Sequence, residues 1–103
     1  MAVTPQPVFT PDASVGASAG QVSSTVLLPG TPASDTTLRI VNLGSMAVAV
    51  KLGTSSAVSC TMSTGTVIMP GQEVYLGIGA NTYIAILTGA PGTSSTINLT
   101  TGN

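Results

Sequence analysis

From residue 20 onward, apolar and polar positions alternate in short runs punctuated by glycine, proline and asparagine. Gln21–Leu28 places Val22, Val26 and Leu28 on one face and hydroxyl side chains on the other. Leu38–Leu43 is a second run, closed by Gly44-Ser45 at hairpin spacing. Met46–Leu52 sets Val48, Val50 and Leu52 against Ala47, Ala49 and Lys51. Ala57–Met62, with Val58, Cys60 and Met62 in step, predicts a weaker strand. Thr66–Met69 is short and ends at Pro70-Gly71, and Glu73–Ile78 alternates Val74, Leu76 and Ile78. Gly79–Asn81 turns into Thr82–Thr88, which is apolar almost throughout. After the loop Gly89–Thr93, Ser95–Thr100 alternates Ile97 and Leu99. No stretch combines a 3.6-residue period with helix caps, so little or no helix is expected. The pattern predicts an all-β chain, a single small β-sandwich or jelly-roll of about seven or eight short antiparallel strands.

Residues 1–19 break this rhythm. Pro5, Pro7 and Pro11 fall among small polar residues without periodicity. Each proline fixes its own φ and biases the residue before it to extended geometry. The reading is an extended Pro-rich N-terminal arm over 1–19 and a β-sandwich domain over 20–103. Phe9, the only phenylalanine, sits in that arm. An aromatic on an extended segment is suited to anchoring in a pocket. Pro5, Pro7, Phe9 and Pro11 are therefore the candidate partner-binding residues, with a neighbouring subunit favoured as the recipient.

Charge narrows the picture. A chain of 103 residues is one domain by length. Its charged residues are Arg39, Lys51, Asp12, Asp35 and Glu73, 5% of the chain, against roughly 25% in an ordinary soluble domain. Two cations cannot neutralise the roughly 6–10 phosphates of a typical DNA site. With no His and one Cys, an ordinary zinc site and the Ser-His-Asp and Cys-His mechanisms are excluded. No cofactor, nucleic acid, membrane or small-molecule substrate is expected. The longest aliphatic stretch, Met46–Val50, falls far short of the ~18–20 residues of a membrane helix. The N-terminus lacks a basic and an apolar signal region, which predicts a protein made and kept inside a cell or released by lysis. Asn98-Leu99-Thr100 matches a glycosylation sequon by chance on this reading. Twelve serines and sixteen threonines stand where charges would be. A net charge near −1 gives little colloidal repulsion, and a thin aliphatic core gains from association.

The reactive residue types have bland explanations. Cys60 alternates with Val58 and Met62, the pattern of a small buried hydrophobe. Lys51 suits an edge charge that blocks strand-to-strand aggregation. Asp35 precedes Thr36-Thr37 and fits an Asx turn. Arg39 interrupts an apolar run. It either snorkels to solvent or joins an inter-subunit pair with Asp35 or Glu73. Tyr75 and Tyr83 are the strand aromatics available to a carbohydrate- or receptor-binding module.

The runs Leu38–Ser45, Val48–Thr54, Ile68–Tyr75, Tyr83–Ile86 and Thr96–Thr100, preceded by Pro5-Gln-Pro-Val-Phe-Thr-Pro11, resemble small bacteriophage head decoration, or cement, proteins. The resemblance implies a β-sandwich or jelly-roll, often trimeric, that binds the major capsid protein on the outer surface of a virion. It would stabilise the shell by bridging capsid subunits, and it carries no catalytic set. The implied site of action is the capsid surface, after synthesis in the bacterial cytoplasm. A tail, baseplate or head-fibre component is the alternative within virion proteins.

Overall fold

The computed structural model describes residues 9–30 and 35–103. Eight strands form in chain order: β1 (Pro11–Ala19), β2 (Ser24–Leu27), β3 (Thr37–Asn42), β4 (Val48–Gly53), β5 (Thr66–Ile68), β6 (Glu73–Gly77), β7 (Tyr83–Leu87) and β8 (Ser95–Gly102). No helix occurs among the described residues. One four-stranded sheet, A, has the order β1-β8-β3-β6, and the other, B, has the order β2-β7-β4-β5. Every pairing is antiparallel. Two such interleaved sheets give the jelly-roll form of a β-sandwich, as the alternating pattern predicts.

The core follows from that alternation. Leu38 and Ile40 of β3 and Ile97 and Leu99 of β8 meet Val48 and Val50 of β4 and Ile84 and Ile86 of β7 between the sheets. Ile68 and Ile78 close the ends. Intervening side chains of sheet A face outward and are mostly polar or charged, Arg39, Thr96, Asn98 and Glu73, with Val41 and Tyr75 among them.

Two elements depart from the sequence reading. Residues 11–19, expected within the arm, form β1 and pair along almost all of β8, with a bulge between Pro11 and Ala13. The inward side chains Val15, Ala17 and Ala19 pack on the core. Alanines present too little apolar contrast to show as a face, and Pro11 sits at the first strand position, where its missing N–H is tolerated. Conversely, Ala57–Met62 is not a strand. It lies in a loop over residues 54–65, folded on the outer face of sheet B. Cys60 packs there with Ala49, Ala85 and Leu87, beside Val58. This cover explains why β7 is apolar on both faces.

Turn chemistry sets the register. Pro70-Gly71 forms a β-turn closed by Gln72 N–H donating to the Met69 carbonyl at 3.0 Å, with Gly71 at φ +78°. Proline at the second position and a positive-φ glycine at the third match a type II turn.

At the Leu43 end of the sandwich, Asn42 is completely buried. Its Nδ2 donates to the carbonyls of Met46 (2.7 Å) and Ile68 (3.0 Å), while its Oδ1 accepts from Gly44 N–H (3.1 Å) and the Ser95 hydroxyl (2.7 Å). One side chain thereby ties β3, the following turn, β5 and β8 together.

Candidate functional site

The surface, rather than a cleft, carries the features of interest. Large apolar side chains stand exposed at Val22, Leu27, Leu43, Met62, Val67, Met69 and Tyr75, at 37–76% of full exposure. They lie at the rims and edges of the sandwich, because the core-facing positions are already filled. The charges do little to keep neighbours apart. Arg39 Nε donates to Glu73 Oε2 at 2.9 Å, with the two side chains 35% and 44% exposed. An ion pair this exposed contributes at most about 1 kcal/mol. The partners belong to one chain, on β3 and β6, and Asp35 is not among them.

Tyr75 of β6 joins this group. Its phenol is raised above the ordinary tyrosine range, first by a hydrogen bond to Glu73 and then by desolvation and the Glu73 charge, against the Arg39 charge. Phe9 packs edge-on against the same ring, with centroids 5.5 Å apart and planes at 70°. The arm's aromatic thus contacts its own chain in this structure. Pro11 opens β1, while Pro5 and Pro7 lie outside the described residues.

Asp35 is buried, and it lines a small cavity of about 130 Å³ with Leu27, Leu28, Ile78 and Thr101. Thr101 Oγ1 donates to the Pro29 carbonyl at 2.8 Å. Gly30, at φ +90°, comes so close to Asp35 and Thr101 that a Cβ there would overlap both. Among the described residues, no group of three or more His, Cys, Asp or Glu is placed to hold a metal. Cys60 Sγ lies 3.6 Å from the carbonyls of both Ala49 and Ala85, either of which can accept its one proton. Burial pushes its thiol up, against smaller opposing effects of Ser23 and the Lys51 charge.

The residues that sequence reasoning missed are on the edges of sheet A. In an antiparallel strand the N–H and C=O of one residue point to the same side. Asn103 and Thr10 exchange both bonds, at 2.8 and 3.0 Å, so odd-numbered residues of β8 face β1. The carbonyls of Thr96 and Gly102 accept from Leu43 and Thr36, at 2.9 Å each, so even-numbered residues face β3. The β1 partners of Thr100, Asn98 and Thr96 are Ser14, Gly16 and Ser18. Their N–H and C=O groups therefore point out of the sheet. On the other side, Asn42 N–H donates to Gln72 and Asn42 C=O accepts from Gly71 N–H, at 3.1 and 2.8 Å. Ile40 and Leu38 thus bond Val74 and Leu76, leaving the backbones of Glu73, Tyr75 and Gly77 facing outward. The sequence signal that was available is the period of two in Ser14, Gly16 and Ser18.

No family model matches the chain, and no curated protein matches it. Its fold is similar to a solved structure described under the words "Bacillus endospore appendages form a novel family of disulfide-linked pili". The TM-score is 0.59 and the identity 10%, over 98% of this chain and 92% of that one. That likeness overturns the reading as a phage head decoration protein that stabilises a capsid. The neighbour is a spore pilus, a different kind of structural protein. The motifs that carried the phage resemblance map onto β3, β4, the β5–β6 turn, β7 and β8. They coincide with strands and turns of the sandwich.

Proposed function

We propose that this chain is a non-enzymatic structural subunit that assembles with copies of itself into a pilus-like array. The observation that carries the reading is the surface: seven large apolar side chains stand exposed among the described residues, on a chain with five charged residues, two of which neutralise each other. Such a surface offers little repulsion between copies and several apolar contacts. The likeness in fold to an endospore pilus supports the same reading. The absence of histidine and the burial of the single cysteine support a role without catalysis.

Assembly of this chain is non-covalent on this reading. A linear disulfide-linked polymer needs two bridging cysteines per subunit, and here the one cysteine is buried. Side-to-side packing, hydroxyl contacts and main-chain bonds take that part. Sedimentation velocity over a wide range of protein concentration, with negative-stain electron microscopy of the same samples, tests the proposal. Concentration-dependent oligomers or fibres are expected, with little loss as salt is raised, because few charges are screened. A monodisperse monomer at every concentration overturns it.

A further inference from the structure

Resting on the self-assembly reading, we infer that β1 of one copy pairs with β6 of the next and continues sheet A from subunit to subunit. The first ground is parity. Sheet A has four strands, each antiparallel to its neighbour, so its two edges run in opposite directions. A second copy set beside the first in the same orientation brings its β6 antiparallel to β1. No inversion of the copy is needed, and the contact is head-to-tail, the kind that propagates into rings or open helical filaments. The right-handed twist of the sheet carries each copy round relative to the last.

The second ground is the state of the edges. Monomeric sheet proteins guard their edges with lysines, internal prolines or short strands. β1 is nine residues long and contains no Lys or Arg; its proline, its one charge (Asp12) and its bulge are confined to Pro11–Ala13, which leaves residues 14–18 as regular, unguarded edge. β6 contains neither Pro nor Lys. Among the described residues no further strand pairs with either edge.

The third ground is register. The outward backbones are Ser14, Gly16 and Ser18 on one edge and Glu73, Tyr75 and Gly77 on the other. A single antiparallel alignment uses all of them: Ser14 opposite Gly77, Gly16 opposite Tyr75 and Ser18 opposite Glu73 of the next copy. Each such pair exchanges two main-chain bonds. The side chains agree with it. A Cβ at Gly16 or at Gly77 would meet nothing within 4 Å, so Gly16 leaves open space beside the Tyr75 ring. The Ser18 hydroxyl stands opposite the Glu73 carboxylate, which it can serve as a donor.

The test compares the full chain with Gly16→Pro and with the double variant Ser18→Cys/Glu73→Cys. The Gly16 N–H faces outward, so Gly16→Pro removes no bond within the subunit. Its far-UV circular dichroism should remain native while association, read by sedimentation velocity, weakens at least tenfold. Within one chain, residues 18 and 73 lie on opposite edges of sheet A. A disulfide between them is therefore intermolecular, and mild oxidation should give a ladder of covalent oligomers on a non-reducing gel. Ser18→Cys/Gly77→Cys, out of register, should not. A wild-type protein that stays monomeric refutes the proposed function itself. A wild type that assembles while natively folded Gly16→Pro assembles equally well refutes only the β1–β6 contact. If Gly16→Pro does not fold, the ladders decide: equal ladders, or none in either double variant, overturn the inference.

Discussion

Asn42→Ala isolates the polar knot that holds the Leu43 end of the sandwich. The side chain is fully buried and makes four hydrogen bonds, two as donor and two as acceptor. At about 1 kcal/mol per net hydrogen bond, the loss is about 4 kcal/mol. Water entering the vacated space recovers part of it, leaving about 3 kcal/mol. A chain of this length holds roughly 5–15 kcal/mol in total, so the variant should be folded but close to its limit. Urea unfolding followed by circular dichroism, with both proteins at the same concentration so that the mass-action term from association is common to the two, measures the change.

Asn42→Asp sharpens the test. The carboxylate keeps the acceptor role toward Gly44 N–H and the Ser95 hydroxyl but sets negative charge against the carbonyls of Met46 and Ile68. Its pKa in the folded state is therefore raised. The stability that goes with the neutral acid is present below the unfolded carboxyl value of about 3.9 and is lost as pH rises through the higher folded value. The Asp variant should gain on the Ala variant as the medium is acidified. A loss under about 1 kcal/mol for Asn42→Ala, or no pH dependence for Asn42→Asp, would falsify the account of Asn42 as a tie.

Leu99→Ala, at a fully buried position between the sheets, should destabilise by about 2–5 kcal/mol in the same unfolding assay. Cys60 should resist thiol reagents in the native protein and react at once in denaturant, because its Sγ is buried against two carbonyls. Its raised thiol adds stability that is present below the unfolded value of about 8.5 and lost as pH rises through the folded one, so Cys60→Ala should flatten the alkaline limb of the stability profile. Glu73→Gln should leave stability within about 1 kcal/mol. Ultraviolet titration of that variant should show the Tyr75 phenol falling back toward its ordinary range, since the hydrogen bond to Glu73 is the first cause of its rise.

Much of the strand layout is legible from period alone. Val74, Leu76 and Ile78 alternate cleanly because one face of β6 meets the core and the other meets solvent; Val48, Val50 and Leu52 alternate toward the core although Ala49 between them is covered by the 54–65 loop. Where that condition fails, the pattern misleads. Ala57–Met62 alternates as a strand does, yet Cys60 and Val58 are apolar because they cap the outer face of sheet B. β1 hides for the opposite reason, since its core face, Val15, Ala17 and Ala19, is mostly alanine and offers hardly any apolar contrast.

The low charge and the hydroxyl-rich surface are properties of composition, and they are readable before any fold is known. So is the exclusion of histidine-based chemistry. Which residues form the proposed assembly surface is decided only in three dimensions. Arg39 meets Glu73 because β3 lies beside β6, residues 34 apart in the chain. Ser14, Gly16 and Ser18 face outward because β1 lies at the edge of sheet A, a matter of strand order that no local pattern records. Side-chain period reports which face of a strand is buried. Which strand is left without a neighbour depends on how distant segments pair, and with it depends what the molecule offers to a second copy of itself.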